Sequence, residues 1–374
     1  MVRARNLSKG TDVLVIGGGP AGVAAALAVR ERAMSVVVAD SCEPPIDKPC
    51  GEGLMPDGLE ALARLGVSLP AADGFAFRGI RFVSGAAAVE AEFPVGRALG
   101  VRRTVLHSKM VERAEAEGIR FLWKSVVTGL DAEGARVNNK LVRARWVIGA
   151  DGSASRVRRW AGLDRHVMQH QRFAYRRHYR VAPWRDFMEL HWGPGCQLYI
   201  TPVAKEEVCV VLISRDPSLR MDAALPAFRE VAARLRGAEI ASAERGAVTV
   251  TRKLKKVCSG HVALIGDASG GVDAITGEGL CLTFQQAGFL AKSIEAGNLA
   301  LYQAAHRRLA VRPGNMAQLM LLLERRTWLR ERVMNAFVGR PRIFQGMLAT
   351  HVGSSSAWDM AANGFALGWG LLTA

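Results

Sequence analysis

The chain of 374 residues is 49% hydrophobic and 22% charged, which excludes a disordered, collagen-like or coiled-coil protein and predicts two or three domains. Its 50 Lys and Arg residues, 40 of them arginine, stand against 34 Asp and Glu, giving a net charge of +16. Such a balance suits a nucleic-acid or membrane partner, and equally a compositional bias toward arginine, and it carries no information about fold.

Residues 13–29 carry no charge and follow a basic N-terminus, a pattern shared with leader peptides. Gly17, Gly18, Gly19 and Pro20 would break a helix at its centre, so the segment reads as strand, turn and helix. The strand is Asp12–Ile16 (DVLVI), apolar in the manner of a strand buried on both faces. GGGPAG follows, then an alanine-rich helix to about Arg32 and a second strand, SVVVAD, which together form the first βαβ unit of a doubly wound α/β sheet. PDGLEALARL at 56–65 is a short amphipathic helix, and 76–100 alternates as strands do. Residues 103–117 are helical, and 119–150 form a meander of short strands ending in RWVIGADG. Between 166 and 252, runs such as GCQLYITPV and EEVCVVLI predict a separate antiparallel sheet. A core strand returns in HVALIGD at 261–267, a long helix starts near Gly279, and 297–374 is mostly helical. Within it, LMLLLERRTWLRERVMNAF at 319–337 reads as one arginine-rich helix with a broad apolar face, and WDMAANGFALGWGLL closes the chain. No stretch reaches the roughly 18 clean apolar residues of a membrane-spanning helix. Six scattered cysteines without a CxxC pair exclude a disulfide scaffold and a zinc ribbon, and point to a reducing cytoplasm.

The first motif is Gly17-x-Gly19-x-x-Gly22, with Pro20 and Ala21 inside the turn. Gly17 allows the tight turn, Gly19 lets a pyrophosphate approach the backbone, and Gly22 allows close packing of helix on strand. The diphosphate then lies on the helix N-terminus, where free N–H groups and the dipole favour an anion. Asp40 ends the next strand 18 residues after Gly22, where a carboxylate accepts hydrogen bonds from a ribose diol. No second GxGxxG occurs, which argues against a permanently bound nicotinamide dinucleotide. The eight histidines show no HExxH spacing, and no metal site is expected.

Two later segments, IGADGSASRVR at 148–158 and IGDASGGVDAITGEG at 265–279, extend the pattern. With them the chain resembles the FAD-dependent superfamily of single-component aromatic hydroxylases and geranylgeranyl reductases. The resemblance implies a Rossmann-type, para-hydroxybenzoate-hydroxylase-like FAD-binding domain with an inserted antiparallel β-sheet substrate domain and a helical C-terminus. The corresponding segments are 1–75, 101–165 and 255–297 for the FAD domain, 76–100 and 166–254 for the substrate sheet, and 298–374 for the helical region. It also implies that Asp267, after Gly266, bonds an FAD ribityl hydroxyl, and that Gly277 and Gly279 bring amides against flavin and pyrophosphate. Asp151 supports the pyrophosphate region, Arg103 contacts ribose and phosphate, and the backbone of Val127 meets the adenine.

Lys48-Pro49-Cys50-Gly51-Glu52-Gly53-Leu54 resembles the KxCGxG loop of geranylgeranyl reductases and related natural-product oxidoreductases. There the loop passes over the flavin, with Gly51 against the ring, Lys48 neutralising reduced flavin or phosphate, and Cys50 facing the substrate; a small buried thiol is the other reading of Cys50. The sequence departs from that family in two places. Ala274 replaces the proline before ITGEG, and QLYITP at 197–202 keeps only an aromatic residue and the proline of the reductase signature YxWxFP. NAD(P)H is implied as a transient co-substrate, with Arg176, Arg177 and Arg180, or Arg252, Lys253, Lys255 and Lys256, as phosphate contacts or as plain strand edges. His178 and Tyr199, like Tyr179 and His191, are candidates to deprotonate a phenol or else packed core residues. The altered signature inclines the reading to a monooxygenase working through a flavin hydroperoxide on an apolar aromatic, polyketide or isoprenoid substrate, with molecular oxygen as co-substrate. The alternative is reduction of a lipid C=C bond; a remote one is a non-catalytic basic flavoprotein on nucleic acid or membrane. A cytoplasmic enzyme touching the inner membrane face through its C-terminal helices is the expected setting.

Overall fold

The computed structural model describes residues 10–354; the basic N-terminus and the WDMAANGFALGWGLL stretch lie outside the described residues. A parallel sheet runs in the order Arg120–Leu122, Val36–Ala39, Thr11–Ile16, Lys140–Gly149, Val262–Leu264. Period-two alternation divides its strands between two cores. Val13 and Val15 face the helices Pro20–Arg30, Arg103–Ala116 and Gly279–Glu295, while Leu14 and Ile16 face the hairpin Val127–Asp131/Gly134–Val137 and the short helix Arg156–Trp160. Proline opens the helix Pro20–Arg30, and its small alanines, Ala24, Ala25, Ala26 and Ala28 being fully or almost fully buried, let it lie between the sheet and Gly279–Glu295.

A second sheet follows the order Glu239–Ile240, His166–Arg180, Glu207–Ser214, Cys196–Ala204, Phe187–Gly193, Gly79–Ser84, Ala87–Glu92. It is antiparallel except where Phe187–Gly193 runs parallel to Gly79–Ser84. One face packs on the short helices Met221–Ala224 and Arg229–Leu235. The other packs on Val311–Arg325, Thr327–Gly339 and Pro341–His351, and on Met55, Ile275 and Cys281 from the first unit. A three-stranded sheet, Gly53–Leu54, Ala98–Gly100 and Phe75–Phe77, joins the two large ones. This is the mixed α/β architecture with an antiparallel second sheet and a helical C-terminus that the motifs imply.

One expected element is corrected. Residues 319–337 are not one helix: the chain turns at Arg326 (φ −119°, ψ 88°) between Val311–Arg325 and Thr327–Gly339. The turn folds the second helix back, so that Met320 and Leu323 before it and Val333, Met334 and Phe337 after it all enter the same core, which a straight helix of that length could not achieve.

Candidate functional site: a glycine-lined groove and an apolar cavity

The glycine loop is built by close approaches. A Cβ on Gly22 would lie 1.7 Å from the Gly17 carbonyl oxygen, and one on Gly17 (φ +111°) would lie 2.4 Å from that of Ala150. A Cβ on Gly19, by contrast, would meet no atom within 4 Å, and the same holds at Gly51, Gly277 and Gly279. Four glycines from three separate motifs thus border open space. Pro20 begins the helix with no side-chain cap, and Gly266 presses against Ala21, a Cβ there lying 2.7 Å from Ala21 Cβ. Asp267, next in sequence, is exposed. The Nε of Arg103, at the first turn of its helix, is buried without a hydrogen-bond partner. An open cradle, a free helix N-terminus and an orphaned guanidinium nitrogen fit a dinucleotide with a diphosphate.

Asp40 accepts hydrogen bonds from the amides of Gly18 (2.6 Å) and Cys42 (2.7 Å), so its carboxylate already organises the loop. His107, fully buried, accepts from the Ile46 amide at Nδ1 (3.1 Å) and donates from Nε2 to the Gly18 carbonyl (2.7 Å). Burial, reinforced by the charge of Arg103, pushes its pKa below the usual histidine value, so it acts as a neutral tie between helix and loop. Trp123 stacks on Phe121 (4.6 Å, 7°) and lies where a Cβ on Gly18 would meet it at 2.3 Å. Trp123 is thus the aromatic residue beside Gly18 and Asp40; the Val127 side chain enters the hydrophobic core beneath the hairpin, which leaves its backbone for the expected adenine contact. Asp151 spends its carboxylate on Ser155 Oγ (2.5 Å) and the amides of Arg156 and Val157, fixing the turn into the short helix.

The Lys48–Leu54 loop is clamped to the second sheet. Glu52 has left-handed backbone (φ +59°) and a fully buried side chain. Its Oε1 accepts from the Arg103 amide (3.0 Å) and Arg176 Nη1 (3.0 Å), and its Oε2 from His178 Nε2 (2.6 Å). Burial pushes this carboxyl up, but the hydrogen bond and charge of His178, the Arg103 amide and Arg176 outweigh it and hold the pKa below the ordinary range. Arg176 also grips Asp47 through two bonds (2.9 and 3.1 Å), and Thr201 Oγ1 donates to the Gly51 carbonyl (2.7 Å). Lys48 reaches the second motif, its Nζ lying 3.7 Å from where a Gly152 Cβ would be. Cys50 is half-buried, its Sγ accepting from the Glu52 amide (3.4 Å).

His178 is fully buried, held between Glu52 and Ser242 Oγ (2.7 Å), and is not among the residues lining the apolar cavity described below. Tyr199 is also buried, and its hydroxyl donates to the Ile275 carbonyl (2.8 Å); burial pushes its pKa far up. Gln197, Tyr199 and Thr201 share one strand face and each bonds a separate anchor: Arg172, Ile275 and Gly51. Arg172 in turn pairs with Asp273 (3.0 Å) and Glu324 (3.0 Å), tying the Asp273–Gly277 loop to the C-terminal helices.

Between that loop, the sheet and the helices lies a cavity of about 40 Å³. Its walls are mostly Ile, Leu, Phe and Met, including Met188, Met316, Met320 and Met347, with Thr276, Tyr199 and His351 the polar exceptions. Of the basic clusters, Arg176 and Arg177 are buried and paired with acids, while Arg180, Lys253, Lys255 and Lys256 are exposed. Sequence reasoning missed His107, Glu52, Arg176 as a clamp, Thr201, Glu278 and His351. Only Glu52 and Glu278 carried a signal, each standing inside a glycine-rich motif where side chains have little room.

Fold and groove define a flavin-dependent oxidoreductase. The chain belongs to the family described as FAD binding domain, whose model matches residues 10–309. A menaquinone reductase from Mycobacterium tuberculosis (strain ATCC 25618 / H37Rv) is 29% identical over 316 residues, 77% of this chain and 78% of that protein. A digeranylgeranylglycerophospholipid reductase from Methanosarcina acetivorans is 29% identical over 319 residues, 78% of this chain and 77% of the other. Among solved structures, a flavoprotein/dehydrogenase from Cytophaga hutchinsonii superposes with a TM-score of 0.79 at 20% identity, covering 95% of both chains. A probable FAD-dependent monooxygenase from Pseudomonas aeruginosa superposes with a TM-score of 0.68 at 20% identity, covering 83% of this chain and 96% of that one.

Proposed function

We propose that the protein is an FAD-dependent reductase that adds hydrogen across a C=C bond of a polyisoprenoid lipid or lipid quinone. The observation that carries this reading is the cavity. Its one phenol, on Tyr199, already donates its hydroxyl to a backbone carbonyl, and His178 is not among the lining residues, so the wall offers an electron-rich substrate no base at either residue expected to supply one. A methionine-rich apolar wall suits a flexible hydrocarbon chain. The two curated reductases that align over more than three-quarters of the chain point the same way. The cavity in this conformation is smaller than such a chain, so the helices Val311–Arg325 and Pro341–His351 part to admit it.

FAD would lie along Gly17, Gly19 and Gly22, its diphosphate on the helix N-terminus at Pro20 and Ala21, with Asp40 toward the ribose and Arg103 toward the phosphates. Asp267 would meet the ribityl chain, and Gly51, Gly277 and Gly279 would leave room for the ring, with Lys48 beside the Asp151–Gly152 turn. Reduced FAD supplies a hydride. The protein's own contribution is to hold the Lys48–Leu54 loop rigid through Glu52, Arg176 and Thr201, and to keep water from the cavity. NAD(P)H is the proposed electron donor, with the exposed Lys253, Lys255 and Lys256, and Arg180 beside Glu239, as the cations to meet its phosphates. An acidic bilayer is the proposed setting, met by exposed Leu322, Trp328 and Val338 among Arg325, Arg332 and Arg342.

Hydroxylation is the second reading, favoured by the missing YxWxFP signature and by Ala274. Stopped-flow mixing of dithionite-reduced holoenzyme with digeranylgeranyl glycerophospholipid micelles, under argon, separates the two. Flavin reoxidation by the lipid is expected; reoxidation only after oxygen is admitted contradicts the reductase.

A further inference from the structure

Glu278, the acidic residue of ITGEG, stands at the head of the helix Gly279–Glu295 and is almost fully buried. A carboxylate there would gain from the helix dipole, yet its surroundings favour the neutral acid. Burial pushes its pKa to about 8, aided by Asp57 and opposed by Arg312. The charges around it explain why. Arg312 Nη2 lies 3.2 Å from Asp57 Oδ2 and 3.5 Å from Glu278 Oε1, so one cation faces two carboxyls. Asp57 has the shorter contact and a further hydrogen bond from Gln285 (3.1 Å), and the Gly58 amide also donates to it. Arg312 and Asp57 then neutralise one another, and Glu278 is left holding its proton. The remaining titratable group at this spot is the buried Cys281 thiol, whose pKa burial and the two carboxyls push up, so it is neutral as well.

On the other side, Glu278 Oε2 faces His351 Nδ1 at 3.4 Å, and both atoms are buried without a hydrogen-bond partner in the present geometry. The Thr276 backbone beside the ring partly opposes the fall in its pKa, and with a protonated Glu278 opposite Nδ1 the ring proton is assigned to Nε2. Burial, with Arg312 adding to it, lowers His351 to about 4, so the ring is neutral with a bare Nδ1. A protonated carboxyl oxygen and an unprotonated ring nitrogen therefore stand face to face. A buried polar pair without hydrogen bonds is costly in an apolar core, and His351 and Thr276 both line the cavity.

The geometry points to Glu278 and His351 as the source of the proton for reduction of the lipid double bond, Glu278 being the reservoir and His351 the donor at the cavity wall. This inference rests on the reductase reading. The alkene π pair takes the Nε2 proton to form one C–H bond, and a hydride from reduced flavin forms the other. As Nε2 gives up its proton, Nδ1 takes one from Glu278 Oε2, which leaves a neutral ring and a carboxylate 3.5 Å from Arg312, to be reprotonated from solvent. One proton and one hydride are consumed for each C=C bond lost.

The test uses FAD-loaded wild type, Glu278→Gln and His351→Gln, with digeranylgeranyl glycerophospholipid micelles as probe. In wild type, an infrared protonated-carboxyl band titrates with a midpoint near pH 8, and Glu278→Gln lacks it. Anaerobic single-turnover reduction falls tenfold per pH unit above that midpoint in wild type. In Glu278→Gln it is about 10²- to 10⁴-fold slower and flat with pH, while flavin content and visible spectrum are unchanged. His351→Gln slows the reaction similarly but keeps the band. Absence of the band from folded wild type, or a Glu278→Gln enzyme with wild-type rate and pH limb, overturns the proton source and leaves the reductase standing. A product that has gained oxygen overturns both.

Discussion

Glu52 shows how a single residue can hold a site together. Left-handed backbone costs a non-glycine residue roughly 1–2 kcal/mol, and Glu52 adopts it (φ +59°) while its carboxylate satisfies Arg103, Arg176 and His178. Removing one partner of such a buried pair strands the other charge, so Glu52→Ala is expected to destabilise the protein by about 3–5 kcal/mol in urea unfolding. The sign of the pH effect follows from the lowered pKa. Stabilisation by Glu52 is fully present above the unfolded value of 4.5 and is lost as pH falls through the lower folded value. Wild type should therefore lose stability below about pH 4.5 more steeply than Glu52→Ala; identical slopes would remove the carboxylate from the account.

At the scale of elements, the strand Cys196–Ala204 joins the substrate sheet to the flavin loops through alternate residues. Tyr199→Phe leaves the buried Ile275 carbonyl unpaired and should cost about 1–3 kcal/mol by thermal unfolding, with FAD retained. A loss below 0.5 kcal/mol, on the order of an ordinary surface change, would contradict this role. Much of the framework was legible in advance. DVLVI, SVVVAD and HVALIGD announced buried parallel strands, the glycine spacing announced the first turn, and period two put Gln197, Tyr199 and Thr201 on one face. What that face met was not legible, because it depends on loops about 75 to 150 residues away in sequence. For the same reason the sequence left His178 open between a base and a packed core residue, and it proves to be a buried tie. The break at Arg326 was hidden too, since no proline or glycine marks it; only the shared core beneath both helices requires it.

For the whole molecule, the net charge of +16 now divides into parts. Arg81, Arg158, Arg172, Arg176 and Arg177 are structural, buried against acids and carbonyls. A further group lies exposed on the C-terminal helices beside Trp328 and Leu322. No helix among the described residues is long and apolar enough to cross a membrane, so contact with lipid would be peripheral. Flotation with phosphatidylglycerol vesicles should carry the protein upward at low salt, with release at high salt and weaker binding by Trp328→Ala. Equal binding to neutral vesicles would contradict that surface. The central claim, that a flavin in the glycine-lined groove hydrogenates a lipid in the methionine-lined cavity, meets its most direct test in the mass of the product. Holoenzyme, NADPH and digeranylgeranyl glycerophospholipid, incubated without oxygen, should yield lipid heavier by two hydrogens for each bond reduced. Lipid that stays unchanged until oxygen is admitted and then gains one oxygen atom would contradict it.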